Sequence, residues 1–326
     1  MNNLSLFDYE PSKVTSRARF FAEIEPHLPI AEWLRDISPI YFPNAHKGGN
    51  QPKPLEIMLR AYLVQNFFTL SDEGCEDSLT DINSIRKFVG ITAANERDIP
   101  DASTICRFRN LLIEHGIQQK LFDNLTVTLA HKGLIIKKGT IVDSTIIETT
   151  TSTRNKEGKR LDKDSTWTKK GGNFKHGYKM HNGVDANSGI ITSTITTTAK
   201  THDVTIGNEL LHGYEEAVYA DAGYLNIENH PKALSTRKYH IMERRSSVEK
   251  SIANLSGLAK QQILKYQKSI ASKRAKAEHP FATIKRLFGF KRSPYKGLKK
   301  NKAKNAIMCT LANIWKISRL EKARLA

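Results

Sequence analysis

Residues 137–143 read Lys-Lys-Gly-Thr-Ile-Val-Asp, and the periodicity of the sequence changes within this stretch. Before it, apolar residues recur at helical spacing, as they do from Leu55 to Leu70 after Pro54. From Gly139 the chain is rich in β-branched residues and follows a turn, which predicts a short strand that ends at Asp143. The sequence therefore predicts a helical N-terminal domain over residues 1–135 and a strand-containing domain over residues 136–326.

Four helices are predicted before this change. They cover residues 55–70, 77–88, 101–116 and 118–131, and the third is capped by Asp101 or Ser103 and ended by Gly116. The first hundred residues are therefore expected to be helical.

After Asp143 the pattern alternates. Strands are predicted at 178–185, 190–198, 217–220 and 238–242, with a hairpin turn at Ala186-Asn-Ser-Gly189 and a short helix capped by Asp203. The polar stretch 149–173 is interpreted as a mobile excursion, and residues from about 248 to 320 as helices. This order is compatible with a mixed α/β (α+β) domain, a mixed sheet flanked by helices as in the RNase H-like fold, but it leaves several other mixed topologies open.

The charge of the chain is uneven. The 326 residues contain 51 Lys and Arg against 33 Asp and Glu, a net charge of +18, yet residues 1–100 carry 14 acids and 10 bases. Residues 279–320 contain eleven bases and no acid. Such asymmetry predicts a helical, basic C-terminal segment that docks on the phosphates of DNA.

Several classes of protein lack support in the sequence. The three cysteines are far apart without a C-x-x-C pair, which disfavours a disulfide framework or a thiolate zinc site. No apolar run is long enough to span a bilayer, and no nucleotide-binding or zinc-protease motif occurs. We therefore expect a cytoplasmic protein without a membrane partner.

Three carboxylates are candidates for catalysis: Asp143 after the first strand, Asp221 after the strand 217–220, and Glu278 in the late helical region. Carboxylates at strand ends are rigidly held, and three of them suit Mg²⁺. Each also has an ordinary interpretation, since Asp143 and Asp221 can cap turns and Glu278 can pair with Arg274. Asp185 and Asp203 have sufficient structural explanations.

The neighbours of Glu278 favour a functional role. On a helix, Arg274 and Lys285 fall near the same face as Glu278, as expected where a metal meets DNA phosphate. Pro280 predicts that the helix is kinked or restarts there.

The chain resembles the DDE transposases of bacterial insertion sequences, specifically the insertion-sequence-5 family. The motifs that carry the resemblance are Ile141-Val-Asp-Ser-Thr-Ile-Ile147, Gly183-Val-Asp-Ala-Asn-Ser-Gly189, Thr201-His-Asp-Val204, Glu209-Leu-Leu-His-Gly213, Ala220-Asp-Ala-Gly-Tyr224 and Arg274-Ala-Lys-Ala-Glu-His-Pro-Phe281. The likeness continues through Phe288-Gly-Phe290, Tyr295-Lys-Gly-Leu298 and Leu311-Ala-Asn313, and it includes Pro54–Arg60 and Leu70-Ser-Asp72.

This resemblance implies an RNase H-like catalytic domain in which Asp143, Asp221 and Glu278 bind Mg²⁺, for which Mn²⁺ can substitute. The family signature Tyr-x2-Arg-x3-Glu-x6-Lys matches Arg274, Glu278 and Lys285, but Ala271 stands in the tyrosine position. Only the role of that tyrosine is affected by the departure.

The resemblance also implies a function in DNA recombination. The protein would bind the terminal inverted repeats of its element, cut their ends and join the freed 3′-hydroxyls to target DNA, as a homodimer in a synaptic complex associated with the nucleoid. A repressor that binds without cutting and a nuclease that cuts without joining are the alternatives.

The candidate DNA contacts fall into three groups. Those around and after the glutamate are Arg274, Lys285, Arg286, Lys291, Arg292, Lys296, Lys299 and Lys300. Those on a possible recognition helix are Arg107 and Arg109, and those before the hairpin are Lys169, Lys170, Lys175 and Lys179.

Overall fold

The computed structural model describes residues 13–42, 52–149, 162–255 and 257–325. Within the chain, residues 1–122 and 314–326 form one compact unit and residues 123–313 form a second. No helix in the described ranges is both long and apolar enough to cross a lipid bilayer.

The first unit is helical, as predicted. Its helices are α1 (Ser16–Ile24), α2 (Ile30–Tyr41), α3 (Leu55–Phe67), α4 (Asp72–Asp81), α5 (Asn83–Val89), α6 (Ala102–Glu114) and the start of α7 (Ile117–His131). Helix α3 is its centre, because nearly all of its side chains are buried. The cap of α6 is confirmed, since the Asp101 carboxylate accepts a hydrogen bond of 2.7 Å from the Thr104 amide.

The helix predicted over residues 77–88 is wrong as a single element. The chain forms α4 and α5 instead, and Ile82 between them has an extended backbone. Helix α4 begins earlier than predicted because the Ser71 hydroxyl caps it through the Gly74 amide, at 2.9 Å.

The second unit contains one mixed sheet, which confirms the predicted fold class. Its strands are β1 (Gly139–Thr149), β2 (Thr166–Lys170), β3 (Asn173–Asp185), β4 (Ile191–Thr198), β5 (Ala217–Ala220), β6 (Lys238–Ile241) and β7 (Arg292–Ser293). The order runs β2-β3-β1-β5-β6, with β4 also paired to β3 and β7 paired to β1. Strand β3 is antiparallel to β1, whereas β5 is parallel to it.

Helices cover both faces of this sheet. The remaining helices are α8 (Asp203–Gly207), α9 (Arg245–Ile252), α10 (Gly257–Ala282) and α11 (Leu298–Leu325). One face packs Val142 and Val218 against Tyr224 and the segment around α8. On the other face lie α10, whose Lys273 bonds Tyr219, and the first part of α11, whose Cys309 is buried against Met180.

Two predictions about this unit need correction, and a third is resolved. Strand β1 does not end at Asp143 but runs on to Thr149, because its pairing with β3 continues as far as Glu148. The stretch 149–173 contains β2, although residues 150–161 lie outside the described part. Of the two alternatives at Pro280, the restart does not occur, since α10 continues to Ala282 and is followed by a π-helical turn, Thr283–Leu287.

Candidate active site

The sheet places Asp143 and Asp221 on neighbouring parallel strands. The register of β1 and β5 pairs Thr140 with Val218 and Ile141 with Tyr219. Strand β5 ends at Ala220, and the same register extended by two residues would set Asp221, the next residue, opposite Asp143. Because adjacent strands lie about 4.8 Å apart, the two backbones are close here.

Both carboxylates face α10. Side chains alternate along a strand, so Asp143 shares a face with Thr145, whose hydroxyl accepts a bond of 2.6 Å from Lys285, just after α10. The Oδ2 atom of Asp221 lies 3.9 Å from the Arg274 guanidinium of α10. The ordinary interpretation of Asp143 fails because no turn follows it, whereas Asp221 does accept a turn-like bond of 2.9 Å from Gly223.

Glu278 lies on the part of α10 that crosses these two strands. It follows Arg274, which reaches Asp221, by about one helical turn, and it precedes Lys285, which reaches Thr145 beside Asp143. Its side chain is exposed to solvent. The pairing of Arg274 with Glu278 considered above is replaced by the contact with Asp221.

Asp143, Asp221 and Glu278 do not form a cluster as they stand. In the ranges that the structure covers, no three Asp, Glu, His or Cys side chains converge closely enough to hold a metal ion. The donor set nevertheless suits a hard divalent cation, which prefers carboxylate oxygens and retains water. Asn182 lies directly opposite Asp143, and its buried amide nitrogen has no hydrogen-bond partner, so it is a donor for a carboxylate oxygen and not a ligand for a cation. The carboxylate chemistry of the candidate residues, rather than their present arrangement, is what suits such an ion.

A fourth carboxylate, Asp203, lies beside the site and was missed. We expected it to cap α8, but His202 occupies the N-cap position. The Asp203 carboxylate instead accepts bonds of 2.9 Å from Ser144, the neighbour of Asp143, and 3.0 Å from Lys179. Its Oδ2 atom and an Asp221 oxygen both lie within 3.5 Å of the point that a Cβ on Gly223 would occupy. The signal was available, since Asp203 belongs to the motif Thr201-His-Asp-Val204.

Two buried groups extend this network. Burial, followed by the charges of Asp203, Asp143 and Asp221, raises the pKa of Tyr224 well above its usual value. Burial also lowers the pKa of His181, which lies 3.6 Å from Asp203, to about 4. The charges of all three aspartates therefore act on the buried Tyr224 hydroxyl.

Most of the predicted DNA contacts are accessible. The exposed ones are Arg107, Lys169, Arg286, Lys291, Arg292, Lys296, Lys299 and Lys300, and the half-buried ones are Arg274, Lys285 and Lys175. The Nε atom of Arg274 is buried without a hydrogen-bond partner, and its Nη2 atom lies 3.9 Å from Asp221. Lys170 lies at the end of β2, and its side chain is outside the described part.

Two of the predicted contacts are placed in the interior instead. Arg109 is buried because its guanidinium forms an ion pair with Asp72, with one bond of 2.8 Å. Lys179 is buried because its ammonium binds Asp203 and donates 2.7 Å to the Thr201 carbonyl. Neither side chain is available to a DNA duplex as it stands.

Comparison with known protein families identifies both parts of the chain. Residues 136–314 match the model of the transposase DDE domain, and residues 9–111 match the model of a transposase domain (DUF772). A search of solved structures finds no significant match. The first match covers the described sheet and all three candidate carboxylates, and the fold is that of an RNase H-like domain. The chain therefore belongs to the family of DNA transposases that carry a DDE domain.

Proposed function

We propose that this transposase belongs to the insertion-sequence-5 family and that Asp143, Asp221 and Glu278 are its catalytic carboxylates. The observation that supports this most is the register of β1 and β5, which extended by two residues would set Asp143 opposite Asp221, under the helix that carries Glu278. The three would hold divalent cations, Mg²⁺ with Mn²⁺ as a substitute. Two such ions, when bound, activate an attacking oxygen and stabilise the leaving one.

The reaction consists of two phosphoryl transfers. In the first, a water oxygen attacks the phosphorus at the end of the element, the bond from phosphorus to the 3′-oxygen breaks, and a free 3′-hydroxyl results. In the second, this hydroxyl attacks a phosphodiester of target DNA, and a target 3′-hydroxyl leaves. Because one phosphodiester replaces another, the joining step needs no nucleotide cofactor.

The basic side chains around the carboxylates would hold the DNA strand in position. The Arg274 guanidinium lies 3.9 Å from Asp221, and Lys285 donates to Thr145, which is two residues along β1 from Asp143. Both therefore flank the place where a scissile phosphate must lie, and the exposed bases of residues 286–300 continue the positive surface. The substrates would be the terminal inverted repeats and target DNA, bound by a homodimer so that both ends are cut together.

The test is a cleavage and joining assay with the full chain and a DNA duplex taken from the flanks of its gene. With Mg²⁺, the wild type should cut the ends and join them to a plasmid. Asp143→Asn, Asp221→Asn and Glu278→Gln should each lower cutting at least 10³-fold, since each removes a charged metal ligand, while end binding stays within about twofold. Glu228→Gln, an exposed carboxylate of the same unit, is the matched control and should cut normally.

Other outcomes identify other functions. A wild type that binds ends without cutting is a repressor, and one that cuts without joining is a nuclease. Cutting that survives in Asp143→Asn would remove that residue from the mechanism.

A further inference from the structure

A two-stranded ribbon projects from β3, the neighbour of the strand that carries Asp143. It consists of β2 paired with the first half of β3, from Thr166 opposite Gly177 to Lys170 opposite Asn173. The turn at its tip has two residues, Gly171 and Gly172, both with positive φ, at 58° and 83°. This is the tight turn whose backbone matches the natural twist of a hairpin.

One face of this ribbon is aromatic. Trp167 lies opposite His176 and Lys169 opposite Phe174, so these four side chains share a face. His176 is buried at the base, and its two ring nitrogens are bonded to the hydroxyls of Thr149 and Ser165, at 3.1 and 3.2 Å. The anchored imidazole supports the Trp167 ring at 4.9 Å.

The outer half of this face is unprotected. Trp167 is 46% exposed and Phe174, next to the tip, is 70% exposed. The Lys169 ammonium lies 5.7 Å from the centre of the Phe174 ring. Exposing a large apolar ring to water is unfavourable. The two-glycine turn does not need an aromatic ring beside it in order to form. A ring beside an ammonium is instead the combination that stacks on a base and neutralises the adjacent phosphate.

The ribbon lies within reach of DNA bound at the site. It begins where Gly177 pairs with Glu148, five residues along β1 from Asp143. At about 3.3 Å per residue, Phe174 is about 25 Å from Asp143, roughly seven base pairs of a duplex. A two-stranded ribbon fits the major groove, and apolar side chains can enter between base steps.

We propose that the β2–β3 ribbon enters the DNA beside the cut end and that Phe174, supported by Trp167, stacks on a base there, while Lys169 binds a phosphate. The inference rests on the proposed function, because it concerns DNA held at the same site. It assigns base contacts to residues outside the carboxylates and the basic C-terminal segment.

The test uses the full chain without divalent metal, so that the DNA stays uncut, and a terminal duplex with 2-aminopurine placed singly at positions three to twelve from the cut. The wild type should raise the fluorescence at one or two positions. Phe174→Ala should abolish that rise and weaken binding about 10-fold, and Phe174→Trp should restore both. Lys169→Ala should weaken binding and keep the fluorescence change. Tyr214→Ala is the matched control, since that ring is 78% exposed.

The outcomes separate the two proposals. If the wild type binds and cuts ends but Phe174→Ala keeps its affinity and fluorescence, the ribbon inference fails and the proposed function stands. If Phe174→Ala changes only the oligomeric state of the protein without DNA, the ring forms a contact between copies of the chain, and the inference fails as well. If the wild type does not bind terminal DNA, the proposed function fails, and the ribbon inference, which rests on it, fails with it.

Discussion

His181 shows how a residue behind the site makes stability depend on pH. It is fully buried, and its Nε2 is bonded to the Thr197 hydroxyl at 2.9 Å. Burial lowers its pKa to about 4 in the folded chain, against about 6.5 when unfolded. Between these two pH values, His181 is protonated in the unfolded chain but not in the folded chain. Stability is therefore lost as the pH falls from about 6.5 towards 4.

Between pH 7 and pH 5, we expect the free energy of unfolding of the wild type to fall by about 1–2 kcal/mol more than that of His181→Gln, because the variant lacks the titrating imidazole. Urea unfolding of both proteins at the two pH values measures the difference. Equal losses in the two proteins would show that His181 is protonated in the fold.

At the same scale, the sequence predicted that Asp143 and Asp221 follow strands but not what surrounds them. Asp143 and Asp221 follow β-branched runs, so local pattern was sufficient for them. The position of Asp203 depends on Lys179 and Ser144, which lie on two other strands, and only the folded sheet brings those three together. For the same reason, the partner of Arg109, Asp72, was not visible from its own helix.

At the scale of elements, the end of β1 was predicted six residues too early, because pairing with a neighbouring strand extends it. Its apolar pattern ends near Ile147, yet the ladder with β3 carries the strand further. Short strands such as Ala217–Ala220 were predicted correctly because they are buried and bounded by turn residues. Strand β2 was missed because it is polar and half-exposed, so nothing but its pairing with β3 defines it.

Gly177 is the point at which this pairing is most sensitive. A Cβ there would lie 2.2 Å from the Ile147 carbonyl oxygen and 3.0 Å from the Glu148 Cα, both backbone atoms. Gly177→Ala must therefore push β3 away from β1, and we expect a loss of about 2–4 kcal/mol in unfolding free energy. Chemical denaturation of the full chain measures this value.

The control for that change is Gly213→Ala. Gly213 has a φ of +96°, but a Cβ there meets nothing within 4 Å. Its cost should be only the backbone strain, about 1 kcal/mol. If the two variants lose the same amount, the close approach of β1 to Gly177 is not what requires glycine.

At the scale of the whole molecule, charge is distributed in a way that no single contact explains. Residues 1–100 have more acids than bases, while residues 279–320 have eleven bases and no acid. Lys291, Lys296 and Lys300 in the latter segment are exposed. If they contact phosphates, each releases about one counterion from DNA, so binding must weaken steeply with salt.

Two triple variants with equal net charge test this distribution. Replacing Lys291, Lys296 and Lys300 by Ala should reduce the slope of log K against log salt by about 3, because about 0.9 is lost for each phosphate contact. Replacing the exposed Lys13, Lys87 and Lys132 removes the same charge elsewhere and should leave the slope nearly unchanged. Fluorescence anisotropy with a terminal duplex between 50 and 300 mM salt gives both slopes. Since the net charges match, a similar reduction in both variants would mean that the protein attracts DNA by its overall charge, and the basic C-terminal segment would then not be a docking surface.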